Sequence, residues 1–312
     1  MATALAVPRK RALTGLGRAL RRPQTHFALV VLVPCFAFYI YFVYRPIVFG
    51  LWLSLYHYGL LNPSHTSTFA GLGNFDSLFT YDRFWTAMRN TLIYTVLVYA
   101  LTIPTALLLA WCISTIKRGR RLYEFVVFLP VVVSLVAIAL LFRMLMDPQV
   151  GGLNMILHTL GLPTSQWIFG SDTALYSVIL VDYWKGFGFY VILLLGGMLA
   201  VPEVLYDAAK VDGASHWRLF WHITLPGIMP IVLFVSIIAA INGLQVYVTP
   251  TVLGPGPGTS TLVLNQFIVA TAFTEFNIGL ATAASAVLFA IVLVLTLVQL
   301  RILRPQSDGA ME

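Results

Sequence analysis

Asp182 and Lys185 stand three residues apart inside the apolar run 174–200. Charges are costly in a bilayer core and mark either internal ion pairs or solute pathways. A helix brings residues at that spacing onto one face. Two readings follow: a pair that fixes helix packing, or a polar wall on which Tyr183, Trp184 and Tyr190 offer stacking rings. Asn242 and Gln245 share a second face, with Tyr247 close by. Amides both donate and accept, which suits neutral hydroxyl groups or hydrogen bonds between helices. Asn90 and Tyr94, beside Thr91 and Thr95, form a weaker polar set. Arg143 and Asp147, four apart, read as a structural pair or a snorkelling cation. Arg45, beside Pro46, suits an anion or a headgroup.

Covalent and metal chemistry find no support. There is no H-E-x-x-H, no G-x-S-x-G and no G-x-x-x-x-G-K-[ST]; the dipeptide Gly-Lys is absent altogether. A phosphate cradle for ATP is therefore missing. His216 and His222 flank Trp217 in a polar loop and read as surface-shaping residues. Cys35 and Cys112 lie in apolar runs and read as small buried hydrophobes.

The elements that must position these residues are membrane spans. The 312 residues are 59% hydrophobic and 10% charged, against about 25% charged in soluble domains. A span needs ~20 mostly apolar residues. Six stretches qualify: 27–55, 90–115, 123–146, 174–200, 227–249 and 279–301. The first is overlong and carries Pro34 and Pro46, which predicts a kink. The net charge of +7 reports orientation, not nucleic acid. With the N-terminus inside, the inner segments hold fourteen Lys or Arg: six in residues 1–26, then Lys117, Arg118, Arg120, Arg121, Lys210, Arg218, Arg301 and Arg304. The outer segments hold Arg83 and Arg89. Both termini are expected in the cytoplasm. Residues 1–26 form a basic arm in which Leu13, Leu16 and Leu20 suit an interfacial helix. Residues 27–304 form one six-helix domain, and 305–312 a cytoplasmic tail. The outer loops are 56–88, 147–173 and 250–278, the last with a Gly254-Pro255-Gly256-Pro257-Gly258 cluster that excludes helix. The small residues Ala281 to Ala286 open the last span and suit close helix packing.

The loop 201–226 lies between two spans and is short, charged and rich in helix formers. Ala208-Ala209 favours a short helix that another surface can approach. Gly213 suits the left-handed residue that ends it. Pro226 suits the first turn of the next span. Asp207-Ala208-Ala209, three residues, Gly213, nine residues, then Ile223-x-Leu225-Pro226 resembles the Glu-Ala-Ala-x3-Gly-x9-Ile-x-Leu-Pro signature of ABC importer permeases. The run through Asp212-Gly213-Ala214 is similar to the carbohydrate-uptake branch, which includes maltose and glycerol-3-phosphate permeases. Phe84-Trp85 with Arg89-Asn90-Thr91, and Gly254 to Thr261, extend the likeness. Asp207 departs from the usual Glu and shortens that side chain by one methylene.

The resemblance implies an all-α integral membrane protein with a type I ABC importer permease core. It implies a lever at Asp207, Ala208, Ala209, Asp212, Gly213, Ile223, Leu225 and Pro226 that sits in a cleft of a separate ATPase. It implies further partners: a second similar permease, a pair of ATPase subunits that hold ATP and Mg2+, and an extracytoplasmic solute-binding protein. The chain itself would bind no cofactor and catalyse no reaction. Its expected place is a bacterial or archaeal plasma membrane, and its expected cargo a di- or oligosaccharide. Glycerol-3-phosphate or a glycerophosphodiester on the same machinery is the alternative. A gradient-driven carrier is the rival class, and it would require ion sites and internal repeats.

Overall fold

A computed structural model describes residues 23–59 and 68–302. The expected interfacial helix at Leu13–Leu20, most of the basic arm and the tail 305–312 lie outside the described residues. Two compact units divide the chain after Leu53. The first holds α1 (Pro23–Tyr39), a π turn (Ile40–Tyr44) and α2 (Arg45–Leu53). Val30–Leu53 is long and apolar enough to be a span, and of its residues only Leu53 is buried. Pro34 leaves α1 helical; the irregularity falls at the π turn, which ends two residues before Pro46. A proline ring crowds the carbonyl four residues earlier, and a wider turn gives that carbonyl room. The Arg45 guanidinium lies 5.0 Å from the Tyr41 ring centroid, a cation–π contact.

The second unit opens on a small hairpin, β1 (Tyr56–His57) against β2 (Thr68–Phe69). Then come α3 (Gly73–Phe79), α4 (Asp82–Ser114), α5 (Arg120–Val132), α6 (Leu135–Leu145), α7 (Gly152–Thr159) and α8 (Ala174–Ala200). The polar loop holds α9 (Glu203–Val211) and α10 (His216–Leu219). A second π turn (Phe220–Thr224) leads to α11 (Leu225–Gly227), and α12 (Met229–Leu244), α13 (Val248–Leu253), α14 (Leu264–Phe273) and α15 (Ile278–Ile302) complete the fold. The helices α4 and α8 form the central pair, with α12 on α4 and α5 on α8. Small residues permit these approaches. A Cβ on Gly188 would collide with the Val127 carbonyl oxygen, and one on Gly243 would lie 2.9 Å from the Thr95 methyl. The small residues of α15 pack inside the unit, where Ala281, Ala283 and Ala284 are buried.

Several expectations are corrected. The third span is no straight helix: α5 and α6 meet at 88°. Pro130 removes a hydrogen bond and Val131-Val132-Val133 are poor helix formers, so Val133 and Ser134 become extended. The fifth span breaks at Gln245–Tyr247 and resumes as α13. The 250–278 loop therefore holds two helical pieces, although Gly254 to Gly258 remain non-helical. Pro226 lies in the three-residue α11; Pro230 takes the first turn of the span. The π turn before Pro226 repeats the arrangement before Pro46. Cys35 and Cys112 are exposed, not buried, because each lies on an uncovered helix face.

Candidate functional site

Both helix breaks need their backbone groups satisfied, since lipid offers no partners. One side chain from a neighbouring helix serves each. Lys185 Nζ donates to the Val131 carbonyl at 3.1 Å, placing a cation at the C-terminal end of α5, where the helix dipole favours it. Asn265 Nδ2 donates to the Gln245 carbonyl at 2.7 Å. The expected Asp182–Lys185 pair is thus not formed. The ion pairs among the described residues are Arg83–Glu275, Arg120–Glu124 and Asp207–Lys210.

Asp182 instead meets two hydroxyls. Tyr94 of α4 donates to Oδ2 and Thr249 of α13 to Oδ1, each at 2.5 Å. Three elements therefore converge on one carboxylate. Beside it opens a cavity of about 280 Å³ whose polar lining includes Tyr94, Asp182, Tyr190, Asn242, Gln245 and Tyr247. Asn242 Nδ2 donates to the Tyr190 hydroxyl at 3.2 Å, joining α12 to α8. The break after Leu244 is what brings Gln245 and Tyr247 to this wall. A cavity with hydroxyl, amide and ring groups and a single carboxylate is suited to a polyhydroxylated solute.

The other residues singled out from sequence lie elsewhere. Tyr183 stacks on Phe187 at 5.7 Å, and Trp184 packs on Phe142 at 5.3 Å. Neither lines the cavity. Asn90 donates to the carbonyls of Thr259, Ser260 and Leu262. It pins the glycine-proline loop to α4, and Thr91 Oγ1 reinforces it by accepting from Leu264 N–H at 2.8 Å. Asp147 accepts from the amides of Gln149 and Val150 and not from Arg143. Those two N–H groups hold its carboxyl below the ordinary carboxylate value.

A second surface is built by the polar loop. The α9 helix ends in a Schellman arrangement: Gly213 N–H bonds the Lys210 carbonyl, Ala214 N–H bonds the Ala209 carbonyl, and Gly213 has φ +77°. Asp207, Ala208, Asp212, Gly213 and Pro226 are exposed, whereas Ala209, Ile223 and Leu225 are half-buried. Ile223 and Leu225 pack on the core. Their place in the signature is therefore to seat the loop. Sequence reasoning missed the apolar stripe of α9, Val204, Ala208 and Val211, which an i, i+4, i+7 spacing would have revealed. Val204 is 76% and Val211 89% exposed.

This loop is joined firmly to the spans. The Tyr206 hydroxyl lies 3.0 Å from Thr224 Oγ1. Trp111 of α4 packs on Trp217 and Phe220 at 5.8 and 5.2 Å. Between the loop and the α4–α5 connection lies a larger cavity of about 920 Å³, lined by Lys117, Arg121, Glu203 and Lys210 among others. His216 is on its wall, and His222 Nδ1 lies 3.1 Å from the Arg218 carbonyl. Among the described residues no three His, Cys, Asp or Glu side chains converge as a metal site would need.

Residues 102–306 match the family described as binding-protein-dependent transport system inner membrane component. The chain is 34% identical over 283 residues to the probable ABC transporter permease protein YurN of Bacillus subtilis, covering 89% of this chain and 96% of that protein. It is 33% identical over 296 residues to the diacetylchitobiose uptake system permease protein NgcF of Streptomyces coelicolor, covering 89% and 83%. Its fold matches a chain in the crystal structure of a bacterial ABC transporter involved in import of the acidic polysaccharide alginate. That match has a TM-score of 0.80 at 26% identity, over 94% of this chain and 100% of that one.

Proposed function

The chain belongs to the binding-protein-dependent transport system inner membrane component family, and from that membership we propose that it is the permease subunit of an ATP-driven saccharide importer. The observation that carries the reading is the exposed α9 lever, joined through Tyr206–Thr224 and the Trp111–Trp217–Phe220 cluster to the spans that wall the polar cavity. The relatives support the saccharide class: one is a diacetylchitobiose permease, another structure an alginate importer.

In this reading the chain forms half of the translocation path and a second, similar permease forms the other half. Five helices and the bent pair α5–α6 give six spans, with both termini and the 201–226 loop in the cytoplasm. Residues 1–26 are a basic arm, 27–304 the permease domain and 305–312 a tail. The membrane is the plasma membrane of a bacterium or archaeon. Two ATPase subunits hold ATP and Mg2+; the chain itself holds neither and catalyses nothing. Each ATPase receives one lever in a cleft, with Val204, Ala208 and Val211 as the apolar face and Asp207 and Asp212 as charged contacts. Closure of the ATPases pushes α9. Tyr206 and the aromatic cluster pass the displacement to α12 and α4, which carry Asn242 and Tyr94. The cavity wall shifts, and its opening changes from the inner to the outer side. A solute-binding protein then delivers saccharide to the outer loops. The cavity residues Tyr94, Asp182, Tyr190, Asn242, Gln245 and Tyr247 contact the cargo. Asn90 anchors the 259–262 loop, Lys185 holds the bend at Val131, and Tyr183 and Trp184 pack on Phe187 and Phe142.

The test is reconstitution of the complete transporter in proteoliposomes with its binding protein. ATP should drive saccharide uptake with no ion gradient. Gly213→Pro should abolish substrate-stimulated ATP hydrolysis while the chain stays inserted, because proline fixes φ near −65° where the Schellman turn has +77°. Retained coupling would remove the lever. Uptake that follows an ion gradient with ATP held constant would favour a secondary carrier.

A further inference from the structure

The cavity beside Asp182 has an unbalanced charge. Its lining contains one carboxylate and no Lys, Arg or His. Among the described residues Lys185 is one turn along α8 and directs its ammonium to the Val131 carbonyl. Arg143 lies beside Gly254, with a guanidinium nitrogen 3.7 Å from where a Cβ would stand, and is absent from the lining. The Asp182 oxygens are held by two hydroxyls, from α4 and α13. Hydroxyls stabilise a carboxylate by donating to it, yet they bring no compensating charge. The amide and hydroxyl groups of Asn242, Gln245 and Tyr190 complete the wall, and they too are neutral.

An anion entering such a wall meets a carboxylate and no cation, because the Lys185 ammonium is bound to the Val131 carbonyl outside the lining, in a setting of low dielectric constant. Like charges a few ångströms apart repel there far more strongly than in water. No group on this side repays the desolvation of a phosphate or a carboxylate. A neutral polyol meets donors and acceptors only. We propose that Asp182 makes this cavity a charge filter, which admits neutral saccharides and rejects phosphorylated or uronic acid ones. This rests on the saccharide-permease reading and narrows it, setting aside glycerol-3-phosphate as cargo.

The complete transporter, in nanodiscs and without binding protein, isolates the permease cavity from the selectivity of that delivery protein. Its thermal unfolding is followed with maltose, trehalose, N,N′-diacetylchitobiose, digalacturonate or sn-glycerol 3-phosphate, since a ligand bound by the folded state raises Tm. At least one neutral disaccharide should raise Tm and neither anion should. The affinity ratio, neutral over anionic, should exceed about tenfold. Asp182→Asn should bring that ratio toward one. Thr249→Val, which removes a hydroxyl and keeps the charge, should preserve it. Should Asp182→Asn fail to assemble, the wild-type panel and Thr249→Val still decide. Equal stabilisation by neutral and anionic probes, or an unchanged ratio in Asp182→Asn, overturns the filter and leaves the saccharide reading standing. Stabilisation by none of the five overturns the saccharide cavity and the filter with it.

Discussion

Lys185 shows how far a single residue is readable. Its position at depth in a span was plain, and so was its face, shared with Asp182. What the sequence did not disclose was its partner. An ammonium can meet a carboxylate one turn away or a carbonyl on another helix, and the choice depends on where α5 breaks. The structure gives the carbonyl of Val131. Replacing Lys185 by Met should leave that carbonyl unsatisfied and cost about 1–3 kcal/mol, without touching the cavity. The check is a lower unfolding midpoint for Lys185→Met with unchanged saccharide affinity. Changed affinity at unchanged stability would make Lys185 a cavity residue after all. Gly213, by contrast, was fully legible: a glycine after an Ala-rich turn suits a left-handed cap, and it has φ +77°. Asn90 was legible as polar but its partners were not, because the three carbonyls lie some 170 residues away in sequence.

At the level of elements, the long apolar helices lie within a few residues of where apolar length places them, except that α4 begins at Asp82, well before the expected residue 90. The breaks were harder. Pro130 and the valine run were visible, yet hydropathy averages over 20 residues and does not sense an 88° turn. The break at Gln245–Tyr247 has a local and a tertiary cause: the Pro250 ring crowds the Val246 carbonyl, while Gly243 packs on Thr95 and Asn265 takes the Gln245 carbonyl. The joint between the α9 loop and the core helices has two parts of different strength. Tyr206→Phe removes one hydrogen bond, worth about 0.5–1.5 kcal/mol. Trp111→Ala removes the ring on which Trp217 and Phe220 rest, and should do more damage. Measured as ATP hydrolysed per saccharide transported, Trp111→Ala should waste more ATP than Tyr206→Phe, with the ATPase still bound. Equal or absent waste would place the joint elsewhere.

For the whole molecule, the family was readable because one loop carries its signature spacing, whereas the cavity was scattered over α4, α8, α12 and α13 and only the fold collects it. The bend between α5 and α6 has a consequence for how the chain is made. The side chain that satisfies its carbonyl comes 54 residues later, and the glycine that lets α8 approach α5 is later still. While residues 120–145 leave the ribosome, neither exists. An early intermediate therefore has to carry this segment as a straighter helix or leave Val131 uncapped in lipid, and the first is far less costly. A nascent chain arrested before α8 should show Ser134→Cys shielded from a water-soluble thiol reagent as in a straight span. Its labelling should change once residues beyond Gly188 are added. Identical labelling at both lengths would mean that the bend belongs to the segment alone. Labelling that changes with length would mean that the third span is inserted in one shape and finished in another, with α8 as the part that sets it.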